Sequence, residues 1–482
     1  MRNRIPLPSF VCLLLLATSE AALYPQPRRV SYIPYEEAAP IIDALREIVP
    51  AELRGASSRD LPSIWNSWVV RRDAEIRARL VQGDEDSLVN FLLFGTSFTR
   101  KPRITLSDLA RTGEKHLLSA GNNSPESAAF VKAIESRADD LIQAMAAPGK
   151  NERLLFARRV VESKGNDLAT VQGRERVKQY LIGNLVRLIN EHASYAKVLE
   201  SAKLLGDPSA EFAERSKLYA TRGLSSDTSL FPNFAIERSL SSLKSQGLLT
   251  SGSVRRVGIV GPGLDFTDKQ DGYDFYPQQT IQPLAVIDTL LRLGLAKATD
   301  LQITTFDLSN RVNDHLSRAT ANARRGIAYT IQLPRDGQGE WKPETITYWA
   351  KFGDRIGAPA APVVPPAGLG DLKIRAVRVR PAIVALIRPE DTNIVLQRLD
   401  LSDREGFDLL IATNILVYYD VFEQSLALAN VERMLRPGGF LLSNNALLEL
   451  PISRVHSVGY ETVVYSDKPN DGDHVVWYQR GK

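Results

Sequence analysis

The segment from Phe407 to Leu442 constrains the fold of this 482-residue chain more than any other stretch. It begins with an unbroken apolar run, Leu409 to Ala412, which is typical of a strand covered on both faces of a parallel sheet. Polar residues follow at Asn414, and apolar residues then recur at helical spacing until Pro437-Gly438-Gly439 ends the helix. A second apolar run starts the next strand. This β-α-β unit predicts an open α/β sheet, in which ligands bind at the carboxyl ends of the strands.

Strand and helix patterns alternate through the rest of the C-terminal half, which predicts a mostly parallel sheet. Two closing strand patterns, Tyr460 to Tyr465 and His474 to Tyr478, predict an antiparallel hairpin at its end. An insertion at about 327–381 interrupts the order. Before the insertion, the expected elements are a strand at Val257–Val260, a helix at Thr280–Leu293, a strand at Leu301–Phe306 and a helix at Asn310–Arg325. After the insertion, the third strand is expected at Ile394–Leu399.

The insertion itself contains two short apolar runs, Ile327 to Leu333 and Ile346 to Phe352, which we predict to pair as a hairpin of strands. A proline-rich stretch, Gly357 to Gly370, follows them. Loops of this length are commonly functional or disordered.

The N-terminal half has apolar residues at three-to-four spacing and little strand-like alternation, so it is expected to be helical. The break at Ser251-Gly252-Ser253 divides the chain into an all-helical domain at about 30–250 and an α/β domain at 251–482. The helices are predicted at Tyr35–Ile48, Leu61–Leu80, Ser124–Met145, Glu152–Ser163, Leu168–Leu204 and Phe234–Leu248.

The first 22 residues have the pattern of a secretory signal peptide. Arg2 and Arg4 precede an apolar run from Phe10 to Ala17, and small residues follow up to Ala22, where cleavage is expected. The run is too short to span a bilayer comfortably, so no stable membrane span is predicted. An exported protein, periplasmic or secreted, is the expectation; an unused signal would leave the chain in the cytoplasm. The alternative is an apolar helix that docks on the body of the protein.

Composition limits the kinds of site and partner. The only cysteine, Cys12, lies within the predicted signal, and the five histidines show no ligand spacing, so neither disulfides nor a metal site are expected. A net charge of +4 does not indicate a nucleic-acid partner.

Two motifs in the organising segment resemble a known family. The run from Asn414 to Asp420 (Asn-Ile-Leu-Val-Tyr-Tyr-Asp), followed by Leu435-Arg436-Pro437-Gly438-Gly439, resembles the chemotaxis-receptor (CheR-type) glutamate methyltransferases. These belong to the class I S-adenosylmethionine (SAM)-dependent methyltransferases, and the resemblance covers about 254–482. It implies a Rossmann-like class I methyltransferase domain with SAM as its cofactor. It also implies that Asn414 faces the cofactor and that Tyr418 lines the channel where the methyl donor meets its substrate.

The same resemblance implies further cofactor contacts. Gly261 and Gly263 match the first SAM-binding motif; glycines let backbone approach a ligand closely, although Gly-Pro-Gly also forms ordinary turns. Asp307 follows the second strand, where a carboxylate accepts hydrogen bonds from ribose hydroxyls; its alternative role is to cap a helix. Asp400 and Leu401 match the adenine-binding position, and a solvent-exposed turn is their alternative.

Three positions depart from the family pattern: Ile259 replaces an acidic residue, Asp265 replaces a third glycine, and Thr413 replaces an arginine. Far upstream, the segment from Thr96 to Arg100 resembles the Thr-x-Phe-Phe-Arg motif of the receptor methyltransferases. Arg100 is therefore a candidate for orienting a substrate carboxylate, and an exposed loop arginine is the alternative.

These observations predict a SAM-dependent methyltransferase that transfers a methyl group to a protein carboxylate or another oxygen or nitrogen nucleophile. A protein substrate is expected from the resemblance. One alternative is an exported, non-catalytic binding or scaffold protein with a degenerate methyltransferase fold. A nicotinamide-dependent oxidoreductase is a third option, against which Phe266 counts, because it occupies the third glycine position of the dinucleotide motif.

Overall fold

The structure is a computed structural model that describes residues 29–104, 108–109, 125–204, 222–266, 272–337, 339–444, 446–468 and 471–481. The predicted signal peptide at 1–22 and Cys12 lie outside the described residues.

Strands and helices alternate in the C-terminal half and helices dominate the N-terminal half. The strands are β1 (Val30–Tyr32), β2 (Arg256–Val260), β3 (Gln302–Asp307), β4 (Tyr329–Asp336), β5 (Gly357–Ala360), β6 (Leu372–Val379), β7 (Ile387–Asp391), β8 (Gln397–Leu399), β9 (Phe407–Ala412), β10 (Leu435–Ser443), β11 (Val455–Val464) and β12 (Gly472–Arg480). The helices are α1 (Tyr35–Ala44), α2 (Ala51–Arg54), α3 (Leu61–Phe94), α4 (Pro125–Ala146), α5 (Glu152–Ser163), α6 (Val171–Leu204), α7 (Phe231–Ser245), α8 (Gln282–Arg292), α9 (Asn310–Arg324), α10 (Pro343–Lys351), α11 (Pro381–Val384) and α12 (Val421–Met434).

The main sheet has seven strands in the order β11-β12-β10-β9-β2-β3-β7. The five strands from β10 to β7 are parallel, while β12 runs antiparallel to β10 and β11 antiparallel to β12. This confirms the predicted Rossmann-like sheet with a C-terminal antiparallel hairpin. The chain builds outward from β2 to β7 and then returns to place β9 on the other side of β2. A crevice opens at the carboxyl ends of the strands where the direction reverses.

The centre of the sheet is apolar on both faces, as its sequence predicts. All six residues of β9 are buried. Gly258 of β2 allows close strand packing, because a Cβ there would lie 2.3 Å from Leu410 Cδ2. After β9, α12 begins with a capping box in which Asp420 accepts from the Glu423 N–H and the Glu423 side chain accepts from the Asp420 N–H. This capping box fixes the point at which α12 begins, after the carboxyl edge of the sheet.

The insertion differs from the prediction. The run from Ile346 to Phe352, predicted as a strand, lies mostly in helix α10, because Thr345, Tyr348 and Phe352 recur at helical spacing and are all buried. Pro343 in the first turn favours that helix start. The partner of β4 is instead β6, which follows the proline-rich stretch, and β5 forms within that stretch. The three strands make a separate antiparallel sheet in the order β4-β6-β5.

The prediction for the third strand of the main sheet is also wrong. That strand is β7, which ends at Asp391, and not the run from Ile394 to Leu399. After β7, buried Asn393 turns the chain: its Oδ1 accepts from the Val395 N–H at 3.2 Å, and its Nδ2 donates to Asp73 Oδ1 at 2.7 Å. β8 then pairs with β1 in a two-stranded sheet outside the main one.

Helices from the N-terminal half pack directly on the main sheet. Trp65 and Trp68 of α3 stack at 5.1 Å, and Trp68 contacts Phe422 of α12. The C-terminal part of α3 forms a separate core with α4, α5 and α6, while α7 packs on α8 and the terminal hairpin. No helix in the described part of the chain is long and apolar enough to cross a membrane.

Candidate functional site

A cavity of about 420 Å³ lies at the carboxyl edge of the main sheet. It extends from Thr392 after β7, past Asp307 and Val260, to Thr413 after β9 and Asp473 at the start of β12. Its size falls within the range of small-molecule sites. Of the predicted site residues, five line it: Gly261, Gly263, Asp307, Asn414 and Tyr418.

The glycine loop after β2 forms the floor of the cavity. Gly261 and Gly263 have φ of 61° and 60°, in the left-handed region that favours glycine. A Cβ at Gly261 would lie 2.2 Å from Ile415 Cδ1, and one at Gly263 would lie 3.0 Å from Ser226 O. The loop therefore needs both the conformation and the smallness of glycine.

We expect Gly261→Ala to weaken the binding of a ligand in this cavity at least ten-fold, because the new methyl group would push Ile415 or the loop into the cavity. Gly294→Ala is the matched control: its φ is 67°, but a Cβ there meets nothing within 4 Å. That control should cost about 1–2 kcal/mol of stability and leave binding unchanged. Adding Ile415→Ala to Gly261→Ala should restore part of the affinity. Equal losses in the two single variants, measured by calorimetry, would contradict this account.

Asp307 is buried at the end of β3 with 8% of its surface exposed. Burial raises the pKa of its carboxyl to about 6, although the backbone N–H groups of Ser309 and Gly263 and the charge of Arg311 favour the ionised form. The Ser309 N–H donates to Oδ1 at 2.8 Å. The N-cap residue of α9 is Ser309, so Asp307 does not occupy that position. A buried carboxylate on a cavity wall is suited to accept hydrogen bonds from a ligand.

The segment after β9 forms the opposite wall. Asn414 has a φ of 59°, the only positive value among the described non-glycine residues, and its N–H donates to Asn444 Oδ1 at 3.0 Å. Tyr418 follows in a 3₁₀ turn. Burial raises the pKa of the Tyr418 hydroxyl, which stays protonated at neutral pH.

A strap formed by residues 222–230 covers the glycine loop, and sequence patterns did not predict it. The Leu264 N–H donates to Ser226 O at 2.8 Å, and the Thr228 N–H donates to Leu264 O at 2.9 Å. Residues 225–229 of the strap, Ser-Ser-Asp-Thr-Ser, line the cavity. Their signal in the sequence is a short polar run between two helical patterns.

Helix α3 supports both the strap and the β9 wall. Arg79 donates through Nη2 to Tyr418 O at 2.8 Å and through Nε to Arg222 O at 2.9 Å. Its guanidinium also lies 5.7 Å from the ring centre of Tyr419. Gly83 allows close approach, because a Cβ there would lie 1.9 Å from Leu224 O. The helical half of the chain is therefore part of the site.

The two departures near the glycine loop have structural explanations. Ile259 is buried in β2. Asp265 is buried and accepts hydrogen bonds from Tyr276 Oη and Gln279 Nε2, each at 2.8 Å. Thr413, the third departure, accepts from Gln282 Nε2 at 3.1 Å. Of the three, only Thr413 lines the cavity.

The structure does not bring Asp400, Leu401 or Arg100 to the cavity. Asp400 follows β8, outside the main sheet, and accepts from Ser31 Oγ near the N-terminal strand; Leu401 lies beside it. The corresponding wall at the end of β7 is formed by Thr392 and Ile394. Arg100 is exposed in a different groove, with Lys101, Tyr273 and Gly368.

No protein-family model and no curated protein matches the chain. The chain is similar to several solved structures. The glycopeptide N-methyltransferase MtfA complexed with sinefungin is 10% identical over 53% of this chain and 69% of that one, with a TM-score of 0.22. The CurJ carbon methyltransferase is 13% identical over 94% and 100%, with a TM-score of 0.24. An O-methyltransferase family protein from Burkholderia thailandensis is 11% identical over 75% and 99%, with a TM-score of 0.22.

Likenesses at these identities and TM-scores carry no functional argument of their own. The fold class rests on the strand order, the parallel core and the terminal antiparallel hairpin. The chain thus has a Rossmann-like fold of the class I methyltransferase type.

Proposed function

We propose that this protein is a SAM-dependent methyltransferase that uses the cavity at the carboxyl edge. The observation that carries the proposal is the convergence of the glycine loop, buried Asp307 and Asn414 on one cavity. All three belong to motifs in which the sequence resembles the class I methyltransferases, and they come from three different strand ends.

The residues present fit a ligand with hydrogen-bond donors. Thr392 Oγ1 is buried at the β7 end of the cavity and has no hydrogen-bond partner in the described part of the chain. Buried polar atoms without partners are costly, so a ligand that supplies the missing bonds would be favoured. Asp307 would accept from ribose hydroxyls, and the glycine loop would lie against the ligand.

Bound SAM would supply a sulfonium methyl group for transfer to an oxygen or nitrogen nucleophile. The chain's own contribution is to orient the two reactants and exclude water. Tyr418 would place its ring and hydroxyl beside the positive charge, which aromatic faces and oxygen lone pairs attract. The strap covers the glycine loop and so limits access of solvent there.

The narrower proposal, transfer to a protein glutamate as in the CheR-type enzymes, has less support. Its sequence basis included Arg100, which lies away from the cavity. The acceptor class is therefore proposed here only as an oxygen or nitrogen nucleophile, and a protein substrate stays a prediction.

Calorimetric titration of SAM and of S-adenosylhomocysteine into the protein tests the proposal. We expect both to bind with micromolar affinity and to compete with each other, and NAD not to bind. Binding of NAD without SAM would favour the oxidoreductase alternative. A folded protein that binds neither compound would refute the proposal and favour the scaffold alternative.

Export stays a prediction, which a reporter fused to residues 1–29 would check.

A further inference from the structure

The two ends of the cavity differ in character. At the end nearer β7, Asp307 and Thr392 stand at the positions proposed for the nucleotide. At the other end, beyond β9, the walls come from α7 and the terminal hairpin: Phe231, Tyr465, Asp471 and Asp473. If the proposed function is correct, the nucleotide occupies the first end, and the second end is left for the methyl acceptor.

The charge of the cavity wall has one sign. Asp227, Asp307, Asp471 and Asp473 line it, and no lysine, arginine or histidine does so among the residues that the structure describes. Asp227 forms an ion pair with Arg311 at 3.0 Å, and Asp307 lies at the nucleotide end. The acidic character of the acceptor end therefore comes from Asp471 and Asp473.

Asp473 is held in place by neutral donors. Asn444 Nδ2 donates to Oδ1 at 3.0 Å, and Tyr465 Oη donates to Oδ2 at 2.5 Å. Asn444 in turn accepts from the Asn414 N–H, so the carboxylate is connected to the end of β9. Both of these donors are neutral, so neither of them cancels the charge of the carboxylate.

A second observation indicates a ligand that donates hydrogen bonds. Gln282 is 3% exposed, and its Nε2 donates a hydrogen bond to Thr413 Oγ1. Its Oε1 has no partner among the described residues, although the residue lines the same cavity. A carbonyl oxygen can only accept, so the group it lacks is an N–H or O–H donor.

We infer that the acceptor carries a cationic amino group, separate from the atom that is methylated, which Asp471 and Asp473 recognise. Aromatic rings beside these carboxylates add to the attraction: Phe231 and Tyr465 are stacked with ring centres 5.1 Å apart, and both line this end. A carboxylate acceptor would meet two like charges here and no described cation. The claim that the bound molecule is the methyl acceptor rests on the proposed function. The preference for amines rests on the cavity alone.

Benzylamine and benzoate form a matched pair of probes, because they share a ring and carry opposite charges at neutral pH. Each is titrated by calorimetry into the full chain saturated with S-adenosylhomocysteine. We expect benzylamine to bind at least ten-fold more tightly than benzoate, and Asp473→Asn to weaken benzylamine at least five-fold. Asp467→Asn is the control, because Asp467 lies in the same hairpin turn, is 66% exposed and does not line the cavity.

Benzoate binding as tightly as benzylamine, or benzylamine binding that Asp473→Asn does not change, would overturn the inference. If Asp473→Asn does not fold, Asp471→Asn gives the same test with the same expected loss. Failure of the proposed function has a different signature: S-adenosylhomocysteine would not bind, whereas benzylamine would still bind and respond to Asp473→Asn.

Discussion

Asp307→Asn should stabilise the protein at neutral pH and strongly weaken cofactor binding. Asp307 is an ionisable group in a buried site, and its carboxyl has a pKa of about 6 instead of 3.8 because burial penalises the charge. Each unit of pKa shift corresponds to about 1.4 kcal/mol, so replacing the carboxylate by a neutral amide should raise the free energy of unfolding by about 2–3 kcal/mol at pH 7.5. The amide oxygen can still accept from the Ser309 N–H.

The stability gain should depend on pH in a defined direction. Between pH 4 and pH 6 the folded wild type holds a proton on Asp307 that the unfolded chain has released, so its stability falls as pH rises through this window. Above pH 6 the full penalty is present, and below pH 4 it is absent. The difference between Asp307→Asn and wild type should therefore be largest above pH 6 and vanish near pH 4.

The affinity for SAM should fall in Asp307→Asn, although the stability of the protein rises. A charged carboxylate accepts stronger hydrogen bonds from ribose hydroxyls than an amide does, so Asp307→Asn should weaken SAM at least thirty-fold, or about 2 kcal/mol. Wild-type affinity should also fall as pH drops below 6. Thermal unfolding and calorimetric titration of the same samples measure both effects. Asp300→Asn, an exposed aspartate just before β3, should change neither. A stabilised variant with unchanged affinity would remove Asp307 from the site.

The sequence predicted the centre of the sheet because its signals are local. The strand ending at Asp307, the strand ending at Ala412 and the loop at Gly261 each follow from an apolar run and the polar or glycine residues at its end. Parallel strands bring these ends to one edge whatever connects them. For that reason five site residues on three strands were predicted to converge and do so.

The predictions that failed depended on pairing partners that are distant in sequence. The run ending at Leu399 has strand character, but its partner is Val30–Tyr32, about 370 residues away, so it pairs outside the main sheet. Asp400, which follows this run, therefore also lies outside the main sheet. Similarly, the run from Ile346 is β-branched at its start, but tertiary burial of Tyr348 and Phe352 favoured a helix. The strap at 222–230 has no periodicity at all, and its conformation is set by hydrogen bonds to Leu264 and Arg79.

Arg153→Met should destabilise the protein strongly and weaken the cofactor site, although Arg153 lies on α5 in the helical half of the chain. The guanidinium is 1% exposed and donates to the carbonyls of Asp265 (2.9 Å), Phe266 (2.5 Å) and Asp274 (3.3 Å), and also to that of Tyr276. The first two carbonyls directly follow the glycine loop. Hydrogen bonds from a charged donor contribute about 1.5–3 kcal/mol each and are not additive, so a loss of about 3–5 kcal/mol is expected.

Arg153→Lys should recover only part of this loss, because one ammonium group cannot reach four carbonyls that a planar guanidinium spans. Arg158→Met on the same helix is the control, since Arg158 is half-exposed and its ion pair with Glu162 contributes little. Thermal unfolding gives the stability of each variant, and SAM titration well below its Tm gives the affinity. Weakened binding in Arg153→Met at a temperature where the protein is still folded would show that the helical half shapes the glycine loop. Unchanged affinity would limit Arg153 to a role in stability and leave the loop's shape to the strap alone.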